Sequence, residues 1–175
     1  FQEALRRLGH AGASITHAAP PCVAEAMALA PVLFAPEAYG TWRDQIEDAP
    51  ELMYPPILER FRGGREVSAA DYIAGWQELT RLRADWQARV AGFDAVLLPT
   101  APILPPEVNR LLTEPDFFAR ENLLALRNTR IGNLLGLPAI SLPTGSPACG
   151  VMLMGRAGAD RALLVTAAAV ESALR

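Results

Sequence analysis

The residues able to do covalent chemistry are few: five serines, at 14, 68, 141, 146 and 172, two histidines, His10 and His17, and two cysteines, Cys22 and Cys149. All sixteen basic residues are arginine, and the chain has no lysine. A serine attacks a carbonyl only when a neighbouring base takes its proton, and nothing near Ser141 in sequence supplies one. Ser141 therefore reads as a small mid-strand residue hydrogen-bonded within a sheet. His10 and His17 fall in a turn and an expected strand, and read as packing or exposed histidines rather than a shared ligand or acid-base pair. The cysteines are too far apart in sequence for a zinc knuckle and too few for a disulfide framework, so they read as buried or half-buried thiols. Phosphate-loop, dinucleotide, HExxH, CxxC and GxSxG signatures are absent. These residues point to no catalytic group, no metal and no cofactor within the chain.

Bulk composition narrows the class. With 175 residues and 51% hydrophobic content the chain can bury a core. Its net charge of -3, mixed along the chain, offers no basic stripe for a phosphate backbone, so direct nucleic-acid binding is not expected. Apolar runs are broken by proline before the ~18 residues of a membrane span. No membrane association is expected, and the cytoplasm is the default location. The chain opens on Phe1, already inside an amphipathic helix, which reads as a fragment.

The elements that must position any site follow from periodicity and punctuation. A helix is expected over 1–9 with Leu5 and Leu8 inward, and a strand over 13–18. Residues 22–43 should form two helical pieces broken at Pro31 and Pro36. Ser68 with Asp71 three residues on reads as an N-cap for a long helix that ends before Gly92. Strands are expected at 95–98, 139–142 and 151–154, an irregular loop at 99–107, a mainly helical stretch at 116–135, and a final helix over 159–174 with Leu163, Ala167, Val170 and Leu174 on one face. Consecutive apolar residues in the strands demand a sheet covered on both faces. The class is α/β: a layered α/β/α domain with a mixed β-sheet, and no internal boundary.

Three stretches carry a family resemblance: FDAVLLPTAPILPP at 93–106, NLLGLPAISLPTG at 133–145 and GVMLMG at 150–155. Their order and spacing resemble the C-terminal third of the amidase signature family. VSAADY at 67–72 and APEAYGTW at 35–42 extend the resemblance over essentially all 175 residues. It implies that residues 1–175 form the C-terminal portion of a single amidase domain. The parent would cleave a small-molecule amide by acylating a serine, activated through a second serine in a cis peptide and a lysine base. In that family the triad lies in the upstream two thirds, and a chain without lysine or adjacent serines cannot hold it. The implied role here is to complete the sheet and wall one side of the substrate funnel.

On that reading Asn133 either braces the Gly-x-Pro-Ala turn with its side-chain amide or contacts substrate. Thr129 and Arg130 are candidates for facing the pocket, with a solvated helix cap or salt-bridge partner as the plain alternative for Arg130. Tyr39 is either core or pocket rim. Thr100 caps the strand exit. Where glutamyl-tRNA amidotransferase A subunits usually carry an aspartate, this chain has Arg127, and RNTRIGNLLGL looks more like the branch of allophanate hydrolases and stand-alone bacterial amidases. Alternatives are a non-catalytic amidase-fold binding or assembly subunit, and an amidotransferase A subunit. The expected partners are a small amide substrate and the N-terminal part of the same amidase. Alone, the chain should be inert, and it should self-associate as a homo-oligomer if that part is missing.

Overall fold

The apolar run Val151 to Met154 becomes the central strand of the molecule's only sheet. The computed structural model describes residues 1–175. Its elements are α1 (Gln2–His10), α2 (Pro21–Ala28), α3 (Ala30–Asp48), α4 (Pro55–Arg62), α5 (Ala69–Val90), β1 (Val96–Pro99), α6 (Val108–Thr113), α7 (Pro115–Ala125), α8 (Arg127–Leu135), β2 (Ala139–Pro143), β3 (Gly150–Met154) and α9 (Asp160–Leu174). Short 3-10 turns occupy Pro50–Leu52 and Gly63–Glu66. Packing divides the chain into two compact units, Phe1–Pro20 with Trp86–Arg175, and Pro21–Asp85.

The first unit contains the sheet, in the order β1-β3-β2. Leu98 pairs with Met152 on one side of β3 and Ser141 pairs with Met152 on the other. Both ladders are antiparallel. Side chains alternate across a strand, so Val151 and Leu153 face one way and Met152 and Met154 the other. Val151 and Leu153, fully buried, share a core with Ala4 and Leu8 of α1 and with Leu163, Ala167 and Leu174 of α9. Burying one such side chain contributes about 1.5–3 kcal/mol. The opposite face lies against α8, where Gly132 brings the helix close to the Met154 side chain. Helix, sheet and helix are therefore layered, and the fold is α/β. Arg7 ties the layers at their edge, donating to the carbonyls of Leu174 and Thr144.

Consecutive burial holds for β3. In β2 it does not: Leu142 is buried, while Ala139, Ser141 and Pro143 are exposed. Only the Ile140 and Leu142 face of β2 joins the core, and the Ser141 face opens onto a cleft.

The second unit is helical. Ser68 Oγ accepts the Asp71 backbone N–H at 3.0 Å and donates to the Asp71 carboxylate at 2.6 Å, the expected start of α5. Leu79 and Leu82 of that helix are buried. The two helical pieces expected over 22–43 are present, but they meet at Leu29. Pro31 sits in the first turn of α3, where the backbone N–H has no partner to lose. Pro36 lies inside α3 without ending it. No single helix is long and apolar enough to cross a membrane.

One expected element needs correction. Residues 13–18 form no strand: they are exposed and pair with none of the three strands. An isolated extended segment has no ladder to satisfy its backbone. The stretch 116–135 is mainly helical, as expected, and consists of two helices that meet at Leu126, whose carbonyl accepts the Arg130 N–H. The short α6 precedes them, just after the loop expected over 99–107.

Candidate functional site

The stretch 132–138 stops α8 and launches β2. Gly136 adopts φ 67° and ψ 41°, a left-handed conformation that suits glycine. Its N–H bonds to the Asn133 carbonyl at 3.4 Å, and the Leu137 N–H reaches back to the Gly132 carbonyl at 2.9 Å. These two bonds are a Schellman C-cap, and Pro138 prevents the helix from continuing. The turn is thus held by backbone groups. The Asn133 side chain makes no hydrogen bond to it, which corrects the bracing expectation, and stands exposed instead.

Asn133, Thr129 and Gly132 form one face of α8, at i, i+3 and i+4 spacing. That face fronts a cleft of about 320 Å³ whose other walls include Thr100, Ser141, Ile140 and Met152. Two anchors set its shape. Asn128 Nδ2 donates to the Pro99 carbonyl at 2.7 Å, tying the start of α8 to the end of β1. Thr100 donates its backbone N–H to the Gly150 carbonyl at 3.0 Å, continuing the β1-β3 ladder past its last pair.

Thr100 and Ser141 then meet across β3, hydroxyl hydrogen-bonded to hydroxyl. Gly150 makes this meeting feasible. A Cβ there would stand 2.6 Å from Thr100 Oγ1 and 2.8 Å from Ser141 Oγ. Thr129 donates its hydroxyl to the Leu126 carbonyl at 3.1 Å. No residue lining the cleft carries a charge.

The chemical consequence is a cleft wall without a reactive pair. Ser141 Oγ has another hydroxyl as its partner and no base, so it lacks what a serine nucleophile needs. The cleft offers hydroxyl groups, one carboxamide and apolar sides, the usual mixture for orienting a small ligand. No three His, Cys, Asp or Glu side chains gather as a ligand set.

Two of the four residues singled out in the sequence, Thr129 and Asn133, are brought together here. Arg130 is half-buried on α8 and does not line the cleft. Tyr39 belongs to the second unit, where its hydroxyl donates to Glu47 Oε1 at 3.1 Å. Arg62 holds the same carboxylate at 2.6 Å, and this hydrogen-bonded guanidinium is the main reason the Glu47 carboxyl sits below the usual range. Near these residues a groove of about 340 Å³ is lined by Trp42, Ile46, Leu52 and Phe61 among others, with Gln45 its one polar side chain. It carries no reactive group.

Sequence reasoning missed the brace Asn128 and the cleft positions of Thr100 and Ser141. For Ser141 a signal was present: it alternates with Ile140 and Leu142, so it must face away from the core they enter.

A family model described as Amidase matches residues 1–164. The 2-amino-5-chloromuconic acid deaminase of Comamonas testosteroni is 29% identical over 177 aligned residues, covering 98% of this chain and 38% of the deaminase. Among solved structures, an S177A variant of Kluyveromyces lactis allophanate hydrolase superposes with a TM-score of 0.84 at 22% identity, over 99% of this chain and 29% of that one. 6-Aminohexanoate cyclic dimer hydrolase, complexed with substrate, superposes with a TM-score of 0.74 at 24% identity, over 99% of this chain and 40% of that one. The chain thus spans well under half the length of each of these relatives. Its sequence and its layered fold agree on one assignment: the chain belongs to the amidase family.

Proposed function

We propose that this chain is the C-terminal part of an amide hydrolase and forms one wall of its substrate site. The serine nucleophile, the cis-peptide serine and the lysine base are contributed upstream of Phe1. The observation that carries this reading is the uncharged cleft between α8 and β2, which has hydroxyl and carboxamide groups to orient a small amide but no serine with a base. The absence of lysine supports the same division of labour, because the family's proton acceptor has no counterpart here. A partial sheet supports it too: β1 and β2 each keep one unpaired edge, a feature that invites further strands.

In this account Asn133 and Thr129 touch the substrate, and Asn128 positions the helix that presents them. Arg130 and Tyr39 stand outside the cleft lining and are assigned no contact. The substrate is a small-molecule amide, the partner is the upstream part of the same polypeptide, and the protein works in the cytoplasm. No cofactor is required by serine acylation.

The test is ammonia or amine release from a panel of small amides, measured for the full-length protein and for residues 1–175 alone. Full-length protein should turn over at least one amide, and the isolated chain none. Hydrolysis by the isolated chain with serine-type inhibition would overturn the reading. Amide binding without turnover by the full-length protein would favour the non-catalytic subunit instead.

A further inference from the structure

The hydrogen-bonding capacity of the cleft is lopsided. Each hydroxyl has one proton to donate and two lone pairs to accept. In the Thr100–Ser141 pair one proton is spent between the two oxygens, leaving one O–H against three lone pairs. Thr129 has already committed its proton to the Leu126 carbonyl and faces the cleft with lone pairs alone. Asn133 is the single lining side chain with N–H groups to offer, and it is neutral. The side chains of this wall are therefore rich in acceptors, poor in donors and without a cation.

Such a wall distinguishes two groups of almost identical shape. A carboxamide or urea end brings N–H donors for the surplus lone pairs and a carbonyl for the remaining O–H. A carboxylate brings acceptors only, so it sets its negative charge against the side-chain lone pairs and finds no cation on this wall for its lost hydration. Selectivity of this type is large because the mismatched ligand leaves polar groups unpaired.

We propose that the Thr100–Ser141 hydroxyl pair selects a neutral, N–H-bearing end of the substrate, a carboxamide or urea-type group, and rejects a carboxylate in its place. This rests on the cleft being a substrate wall. It adds a specificity that family membership does not supply. Gly150 belongs to the device, since any side chain there would occupy the space in which the two hydroxyls meet.

The experiment titrates full-length protein calorimetrically with succinamide and with succinamate, which differ only in one terminal group. Succinamide should bind about tenfold or more tightly, a gap of ~1.4 kcal/mol. Thr100→Val and Ser141→Ala should each bring the two ligands within about threefold, and Thr100→Ser, which keeps the hydroxyl, should restore the gap. If Ser141→Ala fails to fold, the Thr100 pair of variants carries the comparison. Equal or tighter binding of succinamate, binding of neither probe, or a preference untouched by Thr100→Val would overturn the proposal. A retained succinamide preference in a protein that hydrolyses no amide would instead count against the hydrolase reading alone.

Discussion

Thr100 and Ser141, 41 residues apart in sequence, are hydrogen-bonded to each other through their hydroxyls over the first residue of the central strand. One follows β1 and the other lies in β2, so the bond spans the whole three-stranded sheet at the point where it borders the cleft. Replacing Gly150 by alanine puts a methyl group between them. The variant should lose about 1–3 kcal/mol of stability, the usual cost of overpacking, and its succinamide affinity should fall with it. Denaturant midpoints checked alongside ligand titration would reveal this; an unchanged midpoint would mean that the strands yield freely.

A sharper steric limit lies in the second unit. A Cβ on Gly64 would stand 2.1 Å from the Ala35 carbonyl oxygen, and that neighbour is backbone that cannot swing aside. Gly64→Ala should therefore be at or beyond the upper end of the ~1–3 kcal/mol overpacking range. Gly40, inside α3 with nothing near its missing side chain, is the contrast. Gly40→Ala should stabilise by about 0.5–1 kcal/mol through helix propensity. Thermal melts of the two variants should move in opposite directions.

Asn128 carries the positioning of α8. Asn128→Ala removes the donor to the Pro99 carbonyl, which should lower stability by about 0.5–1.5 kcal/mol. Because α8 presents Thr129 and Asn133, KM for a cleaved amide should rise while kcat changes little. Asn128→Asp, which cannot donate, should behave like the alanine variant. Normal kinetics in both would show that α8 needs no such tether.

The second unit should respond to acid through Glu47. Its carboxyl is held low, chiefly by the Arg62 hydrogen bond, with Tyr39 adding a second one. A depressed folded value means that the stabilisation is complete above the unfolded pKa of about 4.3 and is lost as pH falls through the folded value. The stability gap between wild type and Glu47→Gln, read from urea unfolding, should be widest near neutrality and narrow as pH falls through the folded value. A gap that grows on acidification would contradict the sign.

Local features were legible before the fold was known. The glycine and proline punctuation of 132–145 marked a helix stop and a strand, and Ser68 with Asp71 marked a helix start. The apolar run of β3 marked a strand covered on both faces. Misreadings arose where a distant partner decides the outcome. Residues 13–18 have acceptable strand composition but no neighbour to pair with. The same limit applied to the cleft. Thr129 and Asn133 share a helix face and could be grouped from spacing, whereas Thr100 joins Ser141 only through the β1-β3-β2 order. Asn133 was expected to hold a turn that the backbone holds unaided.

The central claim is that this chain supplies a binding wall while the nucleophile lies elsewhere in the same protein. The direct measurement is labelling of the full-length protein with a fluorophosphonate, followed by peptide mapping of the modified serine. The label should fall on a serine upstream of Phe1, and Ser141→Ala should leave that labelling in place. Modification of Ser141, or of any of the other four serines in this chain, would contradict the account.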